Sequence, residues 1–167
     1  MIVLVFLGIL FFVSRDEQLP YWSWAILSAI FLFLSIDEIS SIHEHLDGAR
    51  QNFLGATTGL FYYAWVIPYT FAVSIFALSY LKFLTRLPKK IRWLFIISGA
   101  IFILGAVGFE MLGGWQAELF GNKGLLYSFF YTCEELFEMV GIALFIYTLL
   151  TYIVTQLDTF KMTIKEV

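Results

Sequence analysis

Asp37, Glu38 and Glu44, with His43 and His45, crowd carboxylates and imidazoles into one stretch that continues an apolar run without a break. Glu110 stands in a second apolar run, and Glu134, Glu135 and Glu138 stand in a third. Ionisable groups inside membrane-grade sequence are costly, and by default they mark a functional site. Carboxylate oxygens joined by imidazole nitrogens form a donor set for Fe, Mn or Ca, and the interior of a helix bundle is where mononuclear and dinuclear carboxylate centres are built. Two histidines and one cysteine argue against a three-nitrogen or multi-cysteine zinc site. The nearest approach to a ferritin-like Glu-x-x-His pair is Glu135-x-x-Glu138, which carries Glu where His should stand. The residues therefore indicate the general chemistry of a carboxylate metal centre and not that family.

The elements that must position these groups are membrane helices. Of 167 residues, 60% are hydrophobic, 20% aromatic and only 14% charged, with a mean hydropathy of +0.85. That is far more apolar than a soluble globular domain. The apolar runs are long and do not alternate, which predicts spanning helices and excludes the short alternating segments of a β-barrel. The expected fold is all-α, a polytopic membrane bundle in a single domain of about five segments: roughly residues 1–13, 21–46, 60–84, 93–113 and 125–154. At about 1.5 Å per residue the first reaches only ~20 Å of a ~30 Å hydrocarbon core, so it reads as a short or truncated helix. No positive region precedes its apolar run, which disfavours a cleaved signal. Pro68 is expected to kink the third segment. The fourth is rich in small residues, Gly105, Ala106 and Gly108 among them, that let a neighbouring helix come close. Residues 116–124 read as the loop before the fifth.

Orientation follows from the basic residues, which hold short loops in the cytoplasm. The cluster Arg86, Lys89, Lys90 and Arg92 places the connection between segments three and four inside, with the C-terminus cytoplasmic. Only Arg50 and Lys123 then fall outside. Asp37 lies ~22 Å along its helix from Trp22, Glu110 ~26 Å from Trp93, and Glu134 and Glu138 ~14 to ~20 Å from Leu125. All converge on the outer half of the membrane.

A helix turns about 100° per residue. With Asp37 as origin, Glu44 falls near about −20°, His45 near about 80° and Glu38 near about 100°, whereas His43 falls off that arc at about −120°. Tyr127, Tyr131, Glu134, Glu138, Gly141 and Phe145 share one stripe, with Glu135 to its side. Ala106, Glu110, Gly113 and Gly114 share a face of segment four. The predicted site is thus Asp37, Glu38, Glu44 and a histidine, His45 ahead of His43, with Glu110, Glu134 and Glu138.

Most of the 13 acidic residues fall on this outer side and cannot be neutralised by the two bases there. Neighbouring carboxylates in low dielectric must bind a cation, take up protons or pair with another chain. The first is the leading expectation: one or two bound metal ions, with oxidoreductase or hydrolase chemistry open to such a centre. The second describes a proton- or cation-coupled transporter, with Ser35-x-Asp37-Glu38-Ile39 faintly echoed by Thr132-x-Glu134-Glu135-Leu136 on an oppositely running helix. The third describes an accessory subunit of a larger membrane complex or a homo-oligomer. Glu118 and Asp47 read as solvated loop charges. No Ser or Cys is arranged with a His and an orienting group for nucleophilic hydrolysis, and no basic patch suggests nucleic acid; the expected surroundings are membrane lipid.

Overall fold

A computed structural model describes residues 21–40 and 57–165, together with Gly8 and Ile42, and for Tyr21, Glu38 and residues 157–165 the backbone alone. The described residues are all helical in architecture, without a strand. Helix α1 runs Tyr21–Ser40. A single 3-10 turn, Gly59–Phe61, leads into α2, Val66–Arg86. Helix α3, Lys89–Phe120, contains a π-helical stretch, Leu104–Phe109. Helix α4 runs Leu125–Lys165.

Three of these are long and apolar enough to cross a membrane: Val66–Arg86, Lys89–Phe120 and Leu125–Gln156. Helix α1 is apolar over the shorter span Trp22–Asp37. Phe71 and Leu78 on α2, and Leu125 and Phe129 on α4, are exposed. An outer surface of this kind suits hydrocarbon better than water, consistent with a membrane location. The predicted first segment, residues 1–13, lies outside the described residues, Gly8 excepted.

Segment boundaries depart from the sequence reading where local chemistry decides them. Pro68 does not kink a helix interior, because α2 begins at Val66 and Pro68 falls in the first turn, where a missing N–H costs no intrahelical bond. The stretch 116–124 is mostly not a loop: α3 continues to Phe120 and stops at Gly121, whose φ of 79° is open to glycine without strain. Glu118, exposed, lies on α3 and not in a loop, and its carboxylate accepts the backbone N–H of Gly59, which fastens the end of α3 to the turn before α2.

Two kinds of packing hold the bundle together. Near the α2–α3 turn the contacts are large and aromatic. Trp24, fully buried, meets Phe83 edge-on at 4.9 Å and stacks on Tyr152 at 5.5 Å. The Tyr80 hydroxyl donates to the Ser23 carbonyl at 2.7 Å. Leu87, Ile91 and Leu149 complete this core. Arg92 reaches back across the turn, its Nε donating to the Leu84 carbonyl at 2.8 Å and its Nη2 to those of Thr85 and Leu87 at 2.7 and 3.1 Å. It thereby satisfies carbonyls that the end of α2 would leave without partners.

Farther along, α3 and α4 meet through glycine. A Cβ on Gly105 would stand 2.9 Å from the Glu134 carbonyl oxygen and from the Glu138 amide nitrogen. One on Gly141 would stand 2.8 Å from the Phe102 backbone nitrogen. Two reciprocal glycines thus bring the helix axes as close as backbones allow. The small-residue pattern of segment four predicted this close approach, and it occurs at the level of the acidic residues.

Candidate functional site

The acidic residues are placed by this contrast in packing. Glycine contacts fix α3 against α4, while rings such as Phe31 and Phe145, stacked at 5.0 Å, hold α1 at a greater distance. A chamber of about 850 Å³ opens between the elements. Asp37 lines it from α1, Glu110 from α3, and Glu134, Glu135 and Glu138 from α4. Four residues of the predicted set, Asp37, Glu110, Glu134 and Glu138, therefore share one cavity, and Glu135 joins them.

Asp37 is 5% exposed, an unusual burial for a carboxylate. The Glu134 carboxyl neighbours those of Glu110, Glu138 and Glu135. Carboxylates gathered in low dielectric are compensated by protons, bound cations or partner charges.

The π-helical stretch ends immediately before Glu110. A π turn inserts an extra residue into the helical spiral and often accompanies a functional site. Here Gly105 turns toward α4, while Ala106 and Glu110 line the chamber. The regular-helix reading grouped Ala106 with Glu110 correctly. Gly113 and Gly114 are instead buried against Tyr127 and Phe130, and against Tyr62 and Tyr63.

Sequence reasoning missed the contribution of the region before and at the start of α2. Tyr63, Trp65 and Tyr69 line the chamber, and the Tyr63 and Tyr127 hydroxyls lie 3.4 Å apart. The signal available was the density of aromatic residues from Tyr62 to Tyr69, read only as part of an apolar span. Asn122, in the turn between α3 and α4, also lines the cavity, a role that its place in a short polar stretch does not signal. Tyr127 and Tyr131, on the predicted stripe with Glu134 and Glu138, line it as well.

Glu38 belongs to the last turns of α1, with its side chain outside the described residues, as are His43, Glu44 and His45 altogether. Among the described residues, no group of three or more His, Cys, Asp or Glu forms a set that could hold a metal ion. The described carboxylates line the chamber without closing into such a set.

Comparison with known proteins follows the same extent of chain. Residues 1–153 match the family model described as a domain of unknown function, DUF8692. The chain belongs to this family. No curated protein and no solved structure matches it. The match runs through all four described helices, so the acidic chamber lies wholly within the family's domain.

Proposed function

We propose that the chain is a small polytopic membrane protein that binds one or two metal ions, Fe, Mn or Ca, at the acidic end of the chamber. Glu110, Glu134 and Glu138 would supply oxygen ligands from α3 and α4, and Asp37 another from α1. Glu38, Glu44 and the histidines His45 and His43 would supply the donors that the described carboxylates lack. The observation that carries this reading is the convergence of Asp37, Glu110, Glu134 and Glu138 on one cavity from three separate helices. Carboxylates gathered in low dielectric are compensated by a cation, by protons or by a partner's charge, and a divalent metal compensates several of them at once.

In this reading the bundle has about five membrane segments, the first, residues 1–13, short or truncated, with the α2–α3 turn and the C-terminus cytoplasmic and the acidic end facing outward. The described core between chamber and turn, built from Trp24, Phe83, Leu149 and Tyr152, carries no carboxylate. That favours a site reached from one side over a polar path through the membrane. A metal held there would supply Lewis-acid or redox chemistry, with Tyr63 and Tyr127 as hydrogen-bond donors beside it.

Elemental analysis of protein purified without chelator tests the reading. Near-stoichiometric Fe, Mn or Ca is expected in the wild type, and at least about a tenfold loss of affinity in Glu138→Gln or His45→Ala. Metal at trace level in the wild type, or equal metal in wild type and both variants, overturns it.

A further inference from the structure

The chamber is too large for an ion alone. A metal with about six waters occupies on the order of 200 Å³ at about 30 Å³ per water, against about 850 Å³ available. The walls show how the remainder is used. On α1 the lining passes from Asp37 through Leu34 to Phe31, on α3 from Glu110 through Ala106 to Phe102, and on α4 from Glu138 through Ile142 to Ile146. The levels correspond across the bundle: Gly105 meets Glu134 and Glu138, Gly141 meets Phe102, and Phe31 stacks on Phe145. Three helices therefore grade from carboxylate to hydrocarbon in the same direction. Glu134 to Ile146 covers ~18 Å of helix, about the depth of one leaflet of a ~30 Å hydrocarbon core.

No Lys or Arg lines the cavity among the described residues. In the metal-free chamber an anionic head would meet carboxylates with no compensating charge, whereas a hydroxyl or amine donates hydrogen bonds to them. A graded cavity between helices that suit a membrane complements an amphiphile already dissolved in that membrane. We infer that the chamber binds a single-chain amphiphile, its hydrocarbon chain against Phe31, Phe102, Ile142 and Ile146 and a hydrogen-bond-donating head, hydroxyl or amine, among Glu110, Glu134 and Glu138.

This inference goes beyond the metal reading and stands without it, because the chain seat is built from the apolar half of the cavity. The test uses full-length protein stripped of metal with EDTA, in detergent near neutral pH, titrated with dodecanol, dodecylamine or dodecanoate and read by native mass spectrometry. One dodecanol or dodecylamine per chain is expected, with dodecanoate at least about tenfold weaker. Ala143→Trp, which fills the lining, should abolish the adduct, and Ile146→Thr, which makes the deep end polar, should weaken it severalfold. Leu78→Trp, on the exposed face of α2, should leave it unchanged. Circular dichroism verifies that each variant is folded, and Ile146→Thr decides the matter if Ala143→Trp is not. Equal binding of all three ligands, or wild-type binding by the folded lining variants, overturns the inference. Metal content measured on the same preparation before stripping separates its failure from failure of the metal reading.

Discussion

The end of the bundle near the α2–α3 turn and the end that holds the chamber are built from the same four helices by opposite means. At the turn, Trp24, Tyr80, Phe83 and Tyr152 interlock ring against ring. At the chamber, α3 and α4 touch through Gly105 and Gly141, and the room left beside them is lined by carboxylates and tyrosines. Large side chains fill space where they meet; small ones draw two backbones together and leave the third wall standing off. Close aromatic packing is thereby concentrated at one end and acidic groups at the other, and substitutions at the two ends should have separable consequences.

The largest effect on folding belongs to the filled end. Trp24→Ala removes a fully buried indole and its contacts with Phe83 and Tyr152, and should cost about 3–5 kcal/mol. Thermal melting in detergent would show a large drop. If the loss stays below about 1 kcal/mol, this end is not the stabilising core and the contrast fails.

Next come the glycines, which serve helix packing and site geometry together at the chamber end. Gly105→Ala places a methyl against the backbone of Glu134 and Glu138. Neither backbone can yield as a side-chain tip can, so about 1–3 kcal/mol should be lost. The displacement should also move the two carboxyls, so metal content should fall with stability. Ala at Gly99, where nothing stands within 4 Å, is the matched control and should be neutral or slightly stabilising on helix propensity.

These two glycines also mark how far the sequence could be read. Apolar helices long enough to span a membrane, the gathering of Asp37, Glu110, Glu134 and Glu138 at one level, and the closeness permitted by small residues all follow from hydropathy, rise per residue and side-chain size. Those quantities are local, and they survive folding. The partnership of Tyr63, Trp65 and Tyr69 with the acids did not follow, because aromatic residues near the end of an apolar run serve equally well as interfacial anchors or packing. Which role they take depends on where the preceding turn is fastened, and that depends on Glu118 reaching Gly59, a contact between residues far apart in the chain. Pro68 was misread for a related reason: its effect depends on how many residues precede it within the helix, and α2 begins later than hydropathy suggests. The π-helical stretch had no sequence signal beyond Gly105 and Gly108, which are equally expected in a regular, closely packed helix.

A smaller effect is expected at the turn itself. Arg92→Gln removes the guanidinium that bridges the carbonyls of Leu84, Thr85 and Leu87. These groups lie near the bundle's end and can find water, so the loss should be about 1–2 kcal/mol. Hydrogen exchange should rise locally at the last turn of α2 and leave the chamber unaffected. Increased exchange around Glu134 would show that the two ends are coupled and blur the distinction between them.

The smallest effect on stability should come from the residues with the largest proposed role. In Glu110→Gln and Glu134→Gln the amide is nearly isosteric with a carboxyl, donates a hydrogen bond to its partner and removes one of several neighbouring charges. Each apo variant should therefore melt within about 1 kcal/mol of the metal-stripped wild type, or above it. The comparison requires the stripped protein, because a bound ion stabilises the wild type by mass action and would make any ligand substitution look destructive. If the apo variants instead lose several kcal/mol, the Glu110–Glu134 contact is part of the structural core, and the chamber's carboxylates act as helix glue in the manner of the accessory-subunit reading. Unchanged apo stability combined with lost metal would locate their role in binding and leave the aromatic end to hold the fold.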